Sequence, residues 1–255
     1  MKRYIKILLP IIIIFAWEAA AILINNAFIL PRLESVLVVL LHPFSTDMTL
    51  GNGSLVENAA ASLFRVAIGF AIAMVIAVTL GIAMGRSITV NDFFDSTIEL
   101  LRPIPPLAWV PLSLAWFKIG LTSIVFIIFL GAFFPILLNT IDGVKGVKKT
   151  WLEVASTLGA TERQVLAKVV LPGAAPTIWT GLRVGFGIAW MCVVAAEWLP
   201  GTSRGLGYLI LFAFNFGQTN LIIAGMIVIG VIGIVIDFFF KWVERRRFSW
   251  RGLES

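Results

Sequence analysis

The chain has 255 residues, of which 59% are hydrophobic and only 13% are charged. Soluble domains carry about 25% charged residues, so this composition excludes an ordinary soluble domain and indicates an integral membrane protein. The net charge of +6 would suggest a nucleic-acid partner in a soluble protein. Here the basic residues flank long apolar runs instead, so we expect a lipid bilayer and no nucleic acid.

Six apolar runs predict membrane-spanning helices, each of which needs about 20 residues. The runs lie at 7–28, 60–84, 102–118, 121–141, 177–199 and 220–241. No Gly/Ser-rich linker, charge block or low-complexity tract divides the chain. The sequence therefore predicts an all-α integral membrane protein of about six transmembrane helices that forms a single domain over residues 1–255.

The first run also has features of a cleaved signal peptide. A basic start precedes an apolar stretch, and Ala19-x-Ala21 is typical of a cleavage site. Apolar character nevertheless continues to Leu30, and removal of the run would leave an odd number of spans. An uncleaved first span is therefore predicted.

The distribution of basic residues predicts the orientation of the spans. Fifteen of the 20 Lys and Arg residues, including Arg102, lie in the termini and in the links that six spans place on one side. The basic residues of the opposite links are Arg32, Arg65, Lys118 and Arg204. Because an excess of basic residues marks the cytoplasmic side, the N- and C-termini are predicted to be cytoplasmic, in a multi-pass protein of the cell (inner) membrane.

Between the fourth and fifth runs lies a polar segment, 150–172, which this orientation places in the cytoplasm. Two residue pairs in it have the spacing of capping boxes, Thr150 with Glu153 and Thr161 with Gln164. Gly159 lies between them and suits the left-handed residue that ends a helix, and Pro172 is predicted to close the second helix. The segment is therefore predicted to be a helix-turn-helix, either a docking surface for a soluble partner or an interfacial helix pair without one.

The chain contains no motif for catalysis by its own residues. It has no G-x-x-x-x-G-K-[ST] loop for nucleotide phosphates, no H-E-x-x-H helix and no G-x-S-x-G elbow, so no catalytic or metal site is predicted. The carboxylates predicted within or near the spans, Glu18, Glu197 and Asp237, are not expected to form a close pair. An ion-gradient-driven secondary transporter or channel, which would need buried ionisable pairs, remains the alternative to partner-driven transport.

The polar segment resembles the signature loop of permease subunits of binding-protein-dependent ABC importers. The resemblance is carried by Glu153-x-Ala155-x-x-x-Gly159 and, nine residues later, Val169-x-Leu171-Pro172; Val154 stands where the family often has Ala. It implies the type I ABC importer (MetI-like) permease fold and a loop that docks on a separate ATPase subunit. The residues implied to bind that subunit are Trp151, Glu153, Ala155, Leu158, Gly159, Ala160, Thr161, Leu171 and Pro172.

Segments outside this loop resemble the nitrate/sulfonate/taurine/bicarbonate branch of these permeases. They include Arg102-Pro103-Ile104-Pro105-Pro106, Gly181-Leu182-Arg183 and Gly205-Leu206-Gly207-Tyr208. The resemblance implies a small anionic solute, two permease copies in a homodimer, two ATP-binding ABC subunits and an extracytoplasmic substrate-binding protein. It also implies that this chain is not an enzyme and binds no cofactor, because Mg-ATP is held by the partner ATPase.

Six residues are candidates for the translocation path: Pro105, Pro106, Trp109, Arg183, Trp190 and Glu197. Prolines free backbone carbonyls, which is tolerated in a membrane only against protein or a water-filled cavity, although a helix that starts late after Pro106 would also explain them. Arg183 is expected to reach the interface or to pair with a carboxylate or an anionic substrate. Glu197 is expected at the outer end of its span, facing a docked binding protein or closing a gate against Arg204.

Overall fold

The computed structural model describes residues 2–248, and among these residues the regular elements are helices, with no strand. The α-helices are α1 Lys2–Ile24, α2 Leu33–Leu41, α3 Leu55–Arg86, α4 Ile88–Leu101, α5 Val110–Phe117, α6 Leu121–Lys145, α7 Lys149–Thr157, α8 Glu162–Val165, α9 Leu171–Ala196, α10 Leu206–Asn215 and α11 Thr219–Arg247. The all-α prediction is confirmed. Arg251, which was counted in the basic C-terminus, lies outside the described residues.

Four helical segments among the described residues are long and apolar enough to cross a membrane. They are Leu55–Arg86, Leu121–Lys145, Glu162–Ala196 and Thr219–Arg247, and they confirm the helices predicted from the second, fourth, fifth and sixth apolar runs. The first run forms α1, whose apolar part, Leu8–Ile24, is shorter.

The prediction of one continuous span at 102–118 is wrong. A 14-residue helix, α4, ends at Leu101. The helical structure is then interrupted until a 3₁₀ turn at Pro106–Trp109, which leads into α5. Prolines cause the break because each lacks the N–H that a helix interior needs. The helix α4 was missed because its acidic residues gave it the composition of a polar link.

Residue contacts divide the chain into two compact units. Unit 1 comprises Met1–Ser62 and Thr202–Ile232, and unit 2 comprises Leu63–Gly201 and Gly233–Ser255. The assignment of residues 1–255 to one membrane domain stays a prediction.

In unit 1, buried polar side chains of α3 hold the start of α10. The Oδ1 of Asn58 accepts a hydrogen bond from the N–H of Gly205 at 2.8 Å, and the Oγ of Ser62 accepts one from the N–H of Leu206 at 2.9 Å. Because the first N–H groups of a helix have no partner within it, these contacts stabilise the start of α10.

In unit 2, α3, α6 and α9 approach one another closely along lines of glycine. A β-carbon on Gly81 of α3 would lie 2.6 Å from Thr140 of α6, and one on Gly185 of α9 would lie 2.7 Å from Ile136 of α6. Gly185 thus permits the close approach of α9 to α6. At Gly187, by contrast, no atom of the described residues lies within 4 Å of a β-carbon built there.

The order of these contacts fixes the directions of the helices. Along α3 and α6 the contacts pair Gly69 with Ile128, Gly81 with Thr140 and Gly85 with Val144. Both series rise together, so α3 and α6 run parallel. The segment 87–120 therefore has to run back from the end of α6 that lies beside the end of α3 to the start of α6. The helices α4 and α5 cover this distance together, with the proline-rich interruption between them.

Candidate functional site

The turn after α7 has the geometry that the sequence predicted for Gly159. Its φ is +74°, its N–H donates to the carbonyl of Ser156 at 2.9 Å, and the N–H of Ala160 donates to the carbonyl of Ala155 at 3.0 Å. These two bonds together form a Schellman motif, which ends a helix on a left-handed residue. The turn between the two helices is therefore a defined structure.

Of the two predicted capping boxes, one is confirmed and one is wrong. The N–H of Gln164 donates to the Oγ1 of Thr161, while the N–H of Thr161 donates to the Oε1 of Gln164 at 2.8 Å. The helix α7, by contrast, starts at Lys149 without a side-chain cap. Thr150 thus lies inside its first turn, and Glu153 lies beside Lys149, 3.9 Å away.

The prediction that Pro172 closes the second helix is also wrong. The helical segment continues from Glu162 to Ala196, and a π-helical turn at Leu166–Val170 precedes Pro172. The N–H of Leu171 bonds to the carbonyl of Leu166, five residues back, so the backbone hydrogen-bond pattern changes directly before Pro172 and the helix continues past it. The polar segment is thus continuous with a helix long enough to span the membrane.

The inner side of the helix pair is anchored by an apolar cluster. Val144, Val147, Val170 and Ala174 are buried together, and Leu152 of α7 packs against them. Burial on one side of α7 holds the short helix on the end of α6 and the start of α9.

The outer side of α7 carries large apolar side chains that are exposed. The exposed fractions are 43% for Trp151, 59% for Val154 and 81% for Leu158. A groove of about 470 Å³, here called the α7–α9 groove, lies along this side and is lined by Trp151, Val154, Ala155, Leu158, Lys168, Val169, Pro172 and Gly173. An exposed apolar patch on an ordered element indicates a protein interaction site.

The predicted docking residues divide by their place on this surface. Four of them line the groove: Trp151, Ala155, Leu158 and Pro172. Gly159 and Thr161 shape the turn and the cap rather than the groove. Glu153 is exposed, and Ala160 and Leu171 are half-buried. Four further residues line the groove but were not predicted to bind: Val154, Lys168, Val169 and Gly173. For Val154 the available signal was its spacing, three residues after Trp151 and four before Leu158.

The predicted path residues lie in different surroundings. Pro105 and Trp109 belong to the break between α4 and α5, and Pro106 lines a pocket of about 360 Å³ in unit 2. Trp190 is buried, with 6% exposure, and lies beside Gly233 of α11. Their assignment to the translocation path stays a prediction.

Ion pairs connect the helices of unit 2, contrary to the expectation that no carboxylate would be closely paired. Nη1 of Arg65 lies 2.6 Å from Oε1 of Glu197, whose side chain has no exposed surface. Nε of Arg183 lies 2.7 Å from Oδ1 of Asp237, which Lys241 also contacts at 2.7 Å. Of the roles considered for Arg183, pairing with a carboxylate is the one observed. Arg65 was placed in an outer link and instead belongs to α3.

These features define the class of protein. It is a helical membrane protein whose membrane-length helix continues into an ordered helix pair with an apolar docking surface. Among the described residues no group of His, Cys, Asp and Glu side chains could hold a metal ion. Residues 69–249 match the family described as the binding-protein-dependent transport system inner membrane component, and the chain belongs to this family.

Relatives support this family over nearly the whole chain. A candidate ABC transporter permease of Methanocaldococcus jannaschii is 56% identical over 249 residues, 98% of this chain and 92% of the relative. The taurine transport system permease protein TauC of Escherichia coli is 38% identical, over 96% of this chain and 88% of its own length. The bicarbonate transport system permease protein CmpB of Synechococcus elongatus is 39% identical, over 81% and 74%.

The fold is that of a solved ABC transporter chain. In a crystal structure of inward-facing conformations of the MetNI methionine ABC transporter, a chain superimposes with a TM-score of 0.65 at 17% identity, covering 76% of this chain and 95% of that chain. The predicted MetI-like permease fold is thereby confirmed. The chain is a multi-pass transport subunit of the cell membrane, not an enzyme, and its family works with ATP-binding and substrate-binding subunits.

Proposed function

We propose that this chain is the transmembrane subunit of an ATP-driven importer and that it forms the path for a small anionic solute. The α7–α9 groove carries the proposal. It presents apolar side chains outside the spans on a helix pair that is capped, closed by a Schellman motif and continuous with α9. Burial of this apolar surface in a groove on a soluble partner protein is more favourable than its exposure to water.

The partner of this surface is an ATP-binding subunit that carries Mg-ATP. When the ATPase subunits close, α7 moves with them, and the continuous segment Glu162–Ala196 transmits the motion to the spans as a lever. Two copies of this chain form the path, and an extracytoplasmic binding protein delivers the solute. This chain contributes path and lever, and hydrolysis belongs to the partner.

The solute class rests on the relatives. TauC and CmpB are named for taurine and bicarbonate transport, and both solutes are small and carry an oxyanion group. We place the solute of this chain in that class, which also includes nitrate and alkyl sulfonates.

The test is purification followed by reconstitution. The tagged full-length chain is extracted in several mild detergents, co-purifying proteins are identified by mass spectrometry, and the complex is placed in liposomes with taurine, bicarbonate or nitrate. We expect a stoichiometric ATPase subunit and uptake that requires ATP. A chain that is always recovered alone, with uptake driven by an ion gradient, would instead establish the secondary transporter, for which the pair Arg65–Glu197 supplies a buried ionisable group.

Replacement of Gly159 tests the turn itself. Among the described residues no atom lies within 4 Å of the position of a β-carbon there, so we expect a side chain to act through backbone strain at positive φ. The left-handed conformation costs an L-residue about 1–2 kcal/mol, and β-branching adds to this. We expect Gly159→Val to lower ATP-driven uptake several-fold at normal membrane levels.

Gly159→Asn is the matched control for this replacement, because asparagine adopts the left-handed region more readily than other L-residues. It should retain most of the uptake. Unchanged uptake in a normally folded Gly159→Val protein would remove the turn from the coupling mechanism.

A further inference from the structure

Arg102 lies where two helices meet end to end. It follows the last residue of α4 and precedes the prolines that break the chain before α5. Because α4 and α5 together return the length of α6, Arg102 is not at the cytoplasmic end of this crossing, where the positive-inside count placed it. The 14 residues of α4 span about 21 Å, which separates Arg102 from the end of α3 by up to that distance.

A pocket of about 360 Å³ opens beside Arg102, here called the Arg102 pocket. Its lining is Arg102, Ile104, Pro106, Leu130, Gly131, Phe134, Pro135, Leu138, Asn139 and Ile188. The residues from α6 surround Phe133, the central residue of this 25-residue helix. The pocket therefore lies near the middle of the length of α6. In a helix that crosses the membrane, a charged residue at this depth is a candidate for a functional role.

The guanidinium of Arg102 is not paired with a carboxylate in the part of the chain that the structure describes. Among the described residues no carboxylate forms an ion pair with its guanidinium, although Glu99 stands one helical turn earlier. Arg65 and Arg183, two other arginines on the helices of unit 2, are both paired with carboxylates. An arginine left without a counter-ion at this depth costs free energy unless water or a ligand compensates it.

The remaining lining suits a small ligand of opposite charge. Asn139 adds an amide, one of whose two N–H donors is used by the carbonyl of Pro135 at 2.8 Å. The other walls are apolar, and binding sites for small molecules commonly combine apolar walls with a few polar groups. A guanidinium binds carboxylate-like and sulfonate-like oxygens through two parallel hydrogen bonds.

We infer that Arg102 and its pocket form the anion-binding site of the translocation path, an inference that rests on the proposed function. The occupant is a small oxyanion, either a sulfonate or a planar anion such as bicarbonate or nitrate. Arg102 binds the oxyanion and thereby selects against cations and neutral solutes. The helix break places the guanidinium in the path, and the apolar walls limit the size of the solute.

The test measures the charge preference of the pocket directly. In the full-length chain, buried Cys192, the single cysteine, is replaced by alanine, and a reporter is introduced as Leu130→Cys or, separately, Ile104→Cys. Each reporter is treated with a methanethiosulfonate that carries a sulfonate and with one that carries a trimethylammonium. The sulfonate reagent is itself a small anionic probe.

With Arg102 present, we expect the sulfonate reagent to react on the order of ten times faster relative to the cation than it does in Arg102→Gln. Taurine, bicarbonate or nitrate should slow its reaction. Arg102→Lys should keep the charge preference and lose part of the protection, because an ammonium lacks the bidentate geometry.

Equal preference in the Arg102 and Arg102→Gln proteins would overturn the inference. Reporters that react with neither reagent would also overturn it, because a protein segment, such as one from a second copy, would then fill the pocket. Neither result depends on ATP. If the reconstituted complex takes up anions but the reporters show no charge preference that depends on Arg102, the proposed function stands and the anion-binding site at Arg102 is rejected.

Discussion

Replacement of Leu158 by glutamate should abolish the association of this chain with its ATPase subunit. Leu158 is 81% exposed at the end of α7 and lines the α7–α9 groove. Docking would bury it, and a carboxylate in its place would enter an apolar contact without a partner, which is costly. Residues at the centre of an interface contribute about 2 kcal/mol or more, which corresponds to roughly a thirtyfold loss of affinity.

The measurement is the amount of ATPase subunit that co-purifies with the tagged chain, together with ATP-driven uptake. Ser156→Glu is the matched control, since it places the same charge on an exposed position of the same helix that does not line the groove. We expect near-normal association for the control. Equal co-purification of ATPase with Leu158→Glu and with the unchanged chain would contradict docking through this groove.

The helices of the membrane could be predicted because their signal is local and large. Long apolar runs identified α3, α6, α9 and α11, and the capping pattern at Thr161 and the glycine at 159 located the turn correctly. In each case a short stretch of residues determines the structure through its own composition or its own backbone hydrogen bonds.

The errors occurred where local rules compete. A proline such as Pro172 usually ends or kinks a helix, but here a π-helical turn at Leu166–Val170 directly precedes it and the helix continues. The helix α4 combines acidic residues with a proline-rich exit, which has the composition of a link. Thr150 has a capping spacing, yet α7 begins one residue earlier, so the hydroxyl is already inside the helix.

The contacts that could not be predicted join residues far apart in the chain. Arg65 and Glu197 are 132 positions apart, and neither belongs to a sequence motif that predicts the other as its partner. Arg102 gave a different error, because its sequence neighbours suggest a cytoplasmic link. Only the parallel arrangement of α3 and α6 requires the segment around it to return through the layer.

Removal of the charge of Glu197 should destabilise the protein more than any other single change proposed for unit 2. The side chain of Glu197 is fully buried and that of Arg65 is 14% exposed, so Glu197→Gln removes the carboxylate charge that lies 2.6 Å from a largely buried guanidinium. Removal of one partner of a buried pair costs about 3–5 kcal/mol. Glu57→Gln is the control, since Glu57 and Arg204 form an exposed pair at 3.9 Å, and such pairs contribute about 0–1 kcal/mol.

The chain supplies its own reporter for this measurement. Cys192 is the single cysteine and is buried, so its reaction with a thiol dye during heating follows unfolding. We expect a clearly lower transition temperature for Glu197→Gln and almost none of this shift for Glu57→Gln. Equal transition temperatures for the two variants would contradict a stabilising role of the buried pair.

A double variant separates the stability of the fold from a role in the path. Arg65→Met combined with Glu197→Leu replaces the ion pair by apolar side chains, a change that is often neutral for stability because it removes both desolvation costs together. The transition temperature should return toward that of the unchanged chain. If uptake returns with it, Glu197 acts by holding α3 to the end of α9; if the protein is stable but uptake stays low, Glu197 is a path residue as its sequence position suggested.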